Sequence, residues 1–584
     1  MNDTDILVHR FCIAAILALA AGMAAWGEPR TDLYHSDLYA QVPLQDITDA
    51  NRATYLADAR AAGIGTIYLS FIDDGIGPGF FTEGPERQNA FARLKREIRH
   101  FEEAGFAVAV WVNGFGYGNV RPHFRASTRI TSVDGRINGA VCPLDPELRR
   151  VLNANVRDIA RAGAAFILMD DDYVQSARGF LGCACSNHLA RVAARLGRER
   201  VTREELKAAY TGKPNALRTA FLDVSGEVAV ELAKELRGTV DAVSPKIGMG
   251  ICASYTHWDV EGCDLPELAK AFAGGNRPFL RISGAPYWKN AHWPGTGLEG
   301  IIEFVRMQSA WTRGWAASVQ DENDPYPRKT ALVPPWMCEL YDKAVIADGH
   351  LARHKYMLCY GPDRAEPGYL EAHLADLPDD AKLRRIFAGT VPFGVCVNQP
   401  PHRLREATLP VPFANEGKLT ELYAMPFASF LLARNGIPIR YGKDGPSVPF
   451  AELGIDPTAV NHTTYRTGTH REMILDAWRR KTGSVLPVYV ETEARVYQIV
   501  HRDRARGEYA VLLENMGDSP AEVKIVTTGD TRILASLRGT FTALPGGLAL
   551  AGLPPHAYAA VRFALAGAAA DDPPTTPTTK NRNP

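Results

Sequence analysis

Short apolar runs rich in β-branched and aromatic residues recur along the first 400 positions, each followed by a stretch with apolar residues at three- and four-residue spacing. The runs fall at 39–44, 65–71, 107–114, 164–172, 242–249, 278–283, 315–322 and 356–360, and the helical stretches include 89–104, 146–163 and 217–237. Apolar strands that alternate with amphipathic helices predict parallel βα units, because a strand covered on both faces needs no polar side. Eight such units are what a closed barrel requires, so residues 30–400 are predicted to be α/β, a (β/α)8 TIM barrel. Thr202-Arg203-Glu204-Glu205 reads as a capping box that opens one more helix.

Beyond residue 400 the period changes. Residues 416–490 mix helical and strand-like pieces and predict a small α/β module. Residues 494–566 hold short strands at 495–501, 509–515, 521–527 and 558–563 with turn signals between them, which predicts a C-terminal β-sandwich. At the start, Arg10, an apolar run over 11–25 and Trp26-Gly27-Glu28-Pro29 read as a signal peptide over 1–27; the run is short for a membrane span. The expected location is secreted or periplasmic, with no membrane contact after signal removal. Asp3 and Asp5 outnumber Arg10, which keeps an uncleaved anchor as the alternative. Residues 569–584, rich in Asp, Pro and Thr, predict a disordered tail.

Lys plus Arg total 65 against 66 for Asp plus Glu, a net charge of -1, which sets nucleic acid and anionic membranes aside as partners. Nothing in the sequence indicates an organic cofactor, and a homo-oligomer is compatible with it.

The candidate chemistry lies at the strand ends, which in a barrel all meet at one face. The fourth run delivers Asp170, Asp171 and Asp172 after four apolar residues, and the seventh ends Gln320-Asp321-Glu322-Asn323-Asp324-Pro325-Tyr326. Three adjacent carboxylates repel one another and lose hydration, so at least one is expected to carry a raised pKa. Two carboxyl groups facing each other across a barrel mouth suit glycosidic cleavage, one protonating the leaving oxygen and the other attacking the anomeric carbon or activating water. Asp172 and Glu322 are the candidate pair. Helix capping, ion pairing or a bound calcium is the alternative for the aspartates. Asp170, Asp171, Asn113, Tyr117, Tyr287, Trp288, Asn323 and Tyr326 are the candidate substrate contacts, because sugar rings stack on aromatic faces and bond to nearby polar groups. For any single aromatic residue, core packing is the alternative. Finally, Cys142 precedes a helix, and Cys183, Cys185 and His188 cluster after the fourth run. These four side chains suit a closed tetrahedral structural zinc site, with a Cys142 disulfide as the alternative in an oxidising compartment.

Together these features resemble glycoside hydrolase family 42, β-galactosidases in which a barrel is followed by a small α/β module and a β-sandwich. Cys142-Pro143, Cys183, Cys185 and His188 are similar to the family's zinc ligands, with His188 in place of a final Cys. Asp171-Asp172-Tyr173 stands where the family has Asn-Glu-Tyr, and Glu322-Asn323-Asp324-Pro325 is similar to its Glu-x-x-Pro segment. The resemblance implies Asp172 as acid/base, Glu322 as nucleophile and a barrel zinc. Asp for Glu shortens the acid by one methylene and Asp171 replaces a neutral amide, so the sugar does not carry over. The expectation is a retaining, exo-acting glycosidase with carboxyl groups about 5–5.5 Å apart. Two alternatives stand beside it. One is an α-galactosidase-like barrel with a strand-four Asp as nucleophile and Glu322 as acid; the other is a carbohydrate-binding barrel without chemistry.

Overall fold

The computed structural model describes residues 36–566 apart from 72–83, 116–127, 177–178, 289–296, 316, 328–331, 359–367, 402, 414, 417–426 and 448–467. The predicted signal peptide and tail lie outside the described residues, as does Tyr117. Among the described residues, no helix is long and apolar enough to cross a membrane.

Eight parallel strands form the barrel: β1 (Leu38–Pro43), β2 (Thr66–Ser70), β3 (Ala107–Val112), β4 (Phe166–Met169), β5 (Gly248–Cys252), β6 (Phe279–Arg281), β7 (Ser318–Gln320) and β8 (Arg353–Lys355). A helix follows each one: α1 (Arg52–Ala61), α2 (Gly84–Glu103), α3 (Pro146–Ala162), α4 (Ala216–Asp241), α5 (Leu265–Ala273), α6 (Gly297–Thr312), α7 (Pro335–Asp348) and α8 (Tyr369–Phe387). Strand order runs β8-β1-β2-β3-β4-β5-β6-β7. The ring closes between β7 and β8 through the parallel bridges Gln320↔Ala352 and Asn323↔Lys355. Between these bridges the His354 N–H donates to the Asp321 carboxylate at 2.5 Å, so a side chain supplies one rung.

Alternation along the strands fills the barrel. Tyr39, Tyr68, Ala109, Trp111, Phe166, Leu168, Phe279 and Tyr356 pack together inside it, while the opposite faces pack against the helices in the main core. Helix ends follow local chemistry. Asp145 caps α3 by accepting from the N–H groups of Glu147 (3.0 Å) and Leu148 (3.2 Å), and α3 stops at Gly163 with φ 102°. Thr202 and Glu205 form the expected capping box on the short helix Arg203–Ala209, inserted between β4 and α4.

Two strands sit away from their predicted positions. β5 starts at Gly248, because the apolar Ala242 and Val243 lie where α4 ends. β8 is Arg353–Lys355, upstream of the predicted 356–360.

After the barrel, Val395–Val397 pairs in parallel with Ile439–Tyr441, the helix Phe427–Arg434 packs on the latter, and a further helix spans Gly468–Thr482. Two antiparallel sheets follow. One joins Val391–Pro392, Val496–Asp503, Glu508–Asn515, Tyr558–Leu565 and Thr531–Leu537; the other joins Val488–Glu491, Ala521–Thr527, Gly547–Leu553 and Phe541–Leu544. Val500, Val511, Ile525, Leu548 and Val561 belong to the core between them. The strand Val488–Glu491 begins inside the span predicted for the α/β module but pairs with Ala521–Thr527. This β domain reaches the face of the barrel where α6 and α7 begin. Arg495 holds Glu299 in the first turn of α6 through two bonds (2.6 and 3.0 Å), and His556 stacks on Trp336 at the start of α7 with ring centroids 3.8 Å apart.

Candidate active site

Arg281, at the end of β6, organises the mouth of the barrel. It is 1% exposed, and its Nη2 lies 3.5 Å from Asp171 Oδ2, 3.5 Å from Glu322 Oε1 and 3.7 Å from Asp170 Oδ1. Its Nη1 donates to the Tyr356 hydroxyl at 2.7 Å, and the guanidinium lies over the Trp111 ring. Strands four and seven thus bring opposed acids to a common cation. Because one nitrogen is 3.5 Å from both, the facing oxygens of Asp171 and Glu322 are no farther apart than twice that distance.

The position of Asp171 depends on a turn. Leu168 faces the barrel interior, so strict alternation would direct residues 170 and 172 inward. A tight turn begins after Asp170, where the Tyr173 N–H donates to the Asp170 carbonyl at 3.1 Å. This is the correction to the sequence reading. Asp171 faces Arg281, whereas the Asp172 carboxylate accepts from the Gly114 N–H and from the Asn113 amide at 3.3 Å. Asp172 is fully buried there and ties β4 to the end of β3. Gly114 permits the approach, since a Cβ at that position would lie 2.8 Å from Tyr173 Cα. Tyr173 is anchored in turn. Its hydroxyl donates to the Ala229 carbonyl at 2.8 Å, and its carbonyl lies 3.0 Å from His257 Nε2. Glu261 then accepts from the N–H groups of Gln175 and Ser176, which fixes the segment after the acids.

On strand seven alternation holds. Glu322 faces the cation, while the Asn323 amide donates to the Cys338 carbonyl of α7 at 2.8 Å. Asn323, like Asn113, therefore braces the site where the sequence reading placed a substrate contact. Trp288 is corrected too. It is 3% exposed and packs against Tyr255 and Phe304, a core position that supports its neighbour Tyr287. Tyr287 remains at the site with Tyr326, ring centroids 5.5 Å apart, and Tyr326 is 54% exposed. Asp170 lies just below, accepting from Trp111 Nε1 (3.1 Å) and the Asp171 N–H (2.8 Å).

Electrostatics separate the two acids. Burial pushes the Asp171 carboxyl up to about 6, against the pull of Arg281 and with the push of Asp324. Burial drives Glu322 well above the ordinary carboxylate range, again against Arg281, with Asp171, Asp324 and Asp170 adding to the rise. Tyr287 is pushed up by burial and by the same acids, so it is a neutral hydrogen-bond donor. Arg281 and Asp324 were missed by the sequence reading. An arginine at the end of an apolar barrel strand was the available signal, since a fully buried cation needs carboxylate partners.

The four predicted zinc ligands come together, all buried, with their ligand atoms within 4.8 Å of one another. Cys142 Sγ is 3.8 Å from Cys185 Sγ, and His188 Nδ1 is 3.5 and 3.4 Å from those two sulfurs. A zinc tetrahedron with bonds of about 2.3 Å to sulfur and about 2.0–2.1 Å to nitrogen has edges of about 3.8 Å between sulfurs and about 3.6 Å from sulfur to nitrogen. The residues therefore fit the metal. A second group, Glu339, Asp342 and His373, has ligand geometry as well. The Lys355 ammonium sits among these residues, 2.8 Å from Glu339, 3.4 Å from Asp342 and 3.1 Å from His373, and supplies the positive charge itself.

No protein-family profile matches this chain, and no curated protein sequence matches it. Solved structures do. The α-L-fucosidase isoenzyme 2 from Paenibacillus thiaminolyticus aligns with a TM-score of 0.52 at 11% identity, over 90% of this chain and 99% of that one. The β-galactosidase from Bacillus circulans sp. alkalophilus gives 0.54 at 10% identity over 90% and 98%. That of Rahnella sp. R3 gives 0.50 at 11% identity, again over 90% and 98%. At such identity the likeness shows the fold: a (β/α)8 barrel continued by a C-terminal β domain.

Proposed function

We propose that the chain is a retaining O-glycoside hydrolase in which Asp171 is the nucleophile and Glu322 the acid/base. The observation that carries this reading is the single Arg281 nitrogen 3.5 Å from both carboxylates, which come from strands four and seven. Their greatest facing separation admits the about 5–5.5 Å of a retaining pair and leaves little of the about 6.5–9.5 Å range in which an inverting pair places water. The likeness to enzymes named for two different sugars supports glycosidic chemistry without choosing the sugar.

Roles follow from environment, because two acids pushed to different pKa values divide into base and acid. Asp171, the more exposed of the two, ionises first; Glu322 keeps its proton longer. In the first step an Asp171 oxygen bonds to the anomeric carbon while the leaving oxygen takes the Glu322 proton. In the second, Glu322 takes a proton from water, whose oxygen displaces Asp171 from the anomeric carbon. This is the α-galactosidase-like alternative, with roles opposite to those implied by family 42. A panel of fluorosugars with good leaving groups, followed by peptide mapping, tests it. Label on Asp171 supports the assignment, label on Glu322 reverses the roles, and hydrolysis that survives loss of both acids refutes the site.

We also propose a structural zinc on Cys142, Cys183, Cys185 and His188, supported by the edge lengths above. The expected result is close to one equivalent of zinc in the purified protein and a lower melting temperature in chelator. Less than about a tenth of an equivalent, with a Cys142 disulfide in non-reducing mass spectrometry, would replace the metal by a covalent bridge.

A further inference from the structure

Arg281 has no part in the two-acid scheme as written, yet the site converges on it. It is buried, and charged or titratable groups face it from five strands or their ends. These are Tyr68 of β2, Asp170 and Asp171 after β4, Cys252 of β5, Glu322 after β7, and Tyr356 after β8, while Asp324 faces Asp171 and Glu322 themselves. One positive charge stands among three nearby carboxylates. Asp170 has two donors of its own, Trp111 Nε1 and the Asp171 N–H, and lies farther from the guanidinium, at 3.7 Å. What remains of the cation is divided evenly, at 3.5 Å, between Asp171 and Glu322.

We propose that Arg281 is a positioning residue that keeps one, and only one, of the two opposed acids ionised, so that it sets the pH range in which the site works. The inference rests on the reading of Asp171 and Glu322 as the acid pair. Two buried carboxyl groups around one cation share a single negative charge, because a second ionisation would face the first without compensation. Remove the cation and neither acid ionises near neutrality; the nucleophile is then lost without being touched. The Tyr356 hydroxyl and the Trp111 ring hold the guanidinium at its central point, so neither acid can capture it alone.

The test compares Arg281→Gln and Arg281→Lys with wild type. In R281Q the acid limb of kcat/KM moves up by about 1–3 pH units, the range over which an adjacent arginine acts on a carboxylate; in R281K it stays near its wild-type position. A uniform loss at every pH with the limb unmoved would assign Arg281 a purely structural role and overturn the proposal. Infrared difference spectra give a readout that needs no substrate. Near neutral pH, R281Q minus wild type shows an additional protonated-carboxyl band, which disappears in R281Q/D171N. Absence of that band overturns the proposal whether or not any glycoside is cleaved. Its presence in a protein that cleaves none leaves the proposal standing and refutes the glycosidase reading. If R281Q does not fold, R281K decides: a limb displaced by a full unit despite the retained charge overturns the inference.

Discussion

Glu322→Gln lowers kcat for an alkyl glycoside by about 10⁴-fold, the upper range for loss of a positioned general acid. A glutamine of the same shape keeps the packing around the Glu322 position but has no proton to give, and an alkoxide leaving group cannot depart without one. A nitrophenolate can. With such a substrate the first step survives, the second slows for want of a base, and a burst of about one equivalent of phenol is expected ahead of a slow steady state. Asp171→Asn removes the bond-forming oxygen, so neither substrate shows a burst. In the wild type, kcat/KM falls as pH drops through about 6, where Asp171 takes up its proton. It falls again as pH rises through the higher value at which Glu322 loses its own. Pre-steady-state kinetics on the two variants and a pH profile of the wild type check each part. Wild-type rates in E322Q on both substrates would remove Glu322 from the mechanism.

Arg353→Met costs about 3–5 kcal/mol of stability, the scale for stripping one partner from a buried ion network. Arg353 leaves β8 toward the helices and holds Asp342 of α7 at 2.8 Å and Asp380 of α8 at 2.6 Å; Asp380 is also bonded to Lys343. All four side chains are at least nine-tenths buried. Although burial alone would raise the Asp342 carboxyl, Arg353, Lys355 and Lys343 together hold it far below the ordinary carboxylate range. Because its folded pKa is depressed, its stabilising contribution is present above the unfolded value of about 3.9 and is lost as pH falls through the folded value. With Arg353 gone, that loss begins at a higher pH. Urea midpoints from neutral pH downward measure both effects, and a midpoint unchanged at neutral pH would show that the network contributes nothing net.

The barrel was legible because its strands are apolar on both faces and its helices are amphipathic, and both patterns survive without knowledge of partners. Strand eight was displaced for a physical reason. Arg353, His354 and Lys355 carry no apolar pattern to mark a strand, and Asp342, Asp380 and Glu339 from the flanking helices meet the two cations in the interior. That pairing is invisible in a linear chain. The acidic mouth was legible as a pair of strand ends. Which of the three adjacent aspartates faces the pocket was not, because alternation is only valid while the strand continues, and this one turns after Asp170. Glu322, singled out by the acidic end of the seventh run, lies across Arg281 from the strand-four acids. The gathering of Cys183, Cys185 and His188 was legible from their close spacing, whereas Cys142, 41 positions earlier, joins them through the fold.

The side-chain rung between strands seven and eight gives the barrel a fastening unlike its other joints. Backbone pairing is indifferent to which amino acids take part. Here the clasp includes one side chain next to Glu322, that of Asp321, whose carboxyl accepts from the His354 N–H and is pushed well above the ordinary range by burial. The distance between the opposed acids is therefore encoded partly at a position outside the pocket, where drift in the sequence could loosen the ring and spoil its chemistry without altering a single group that lines the mouth.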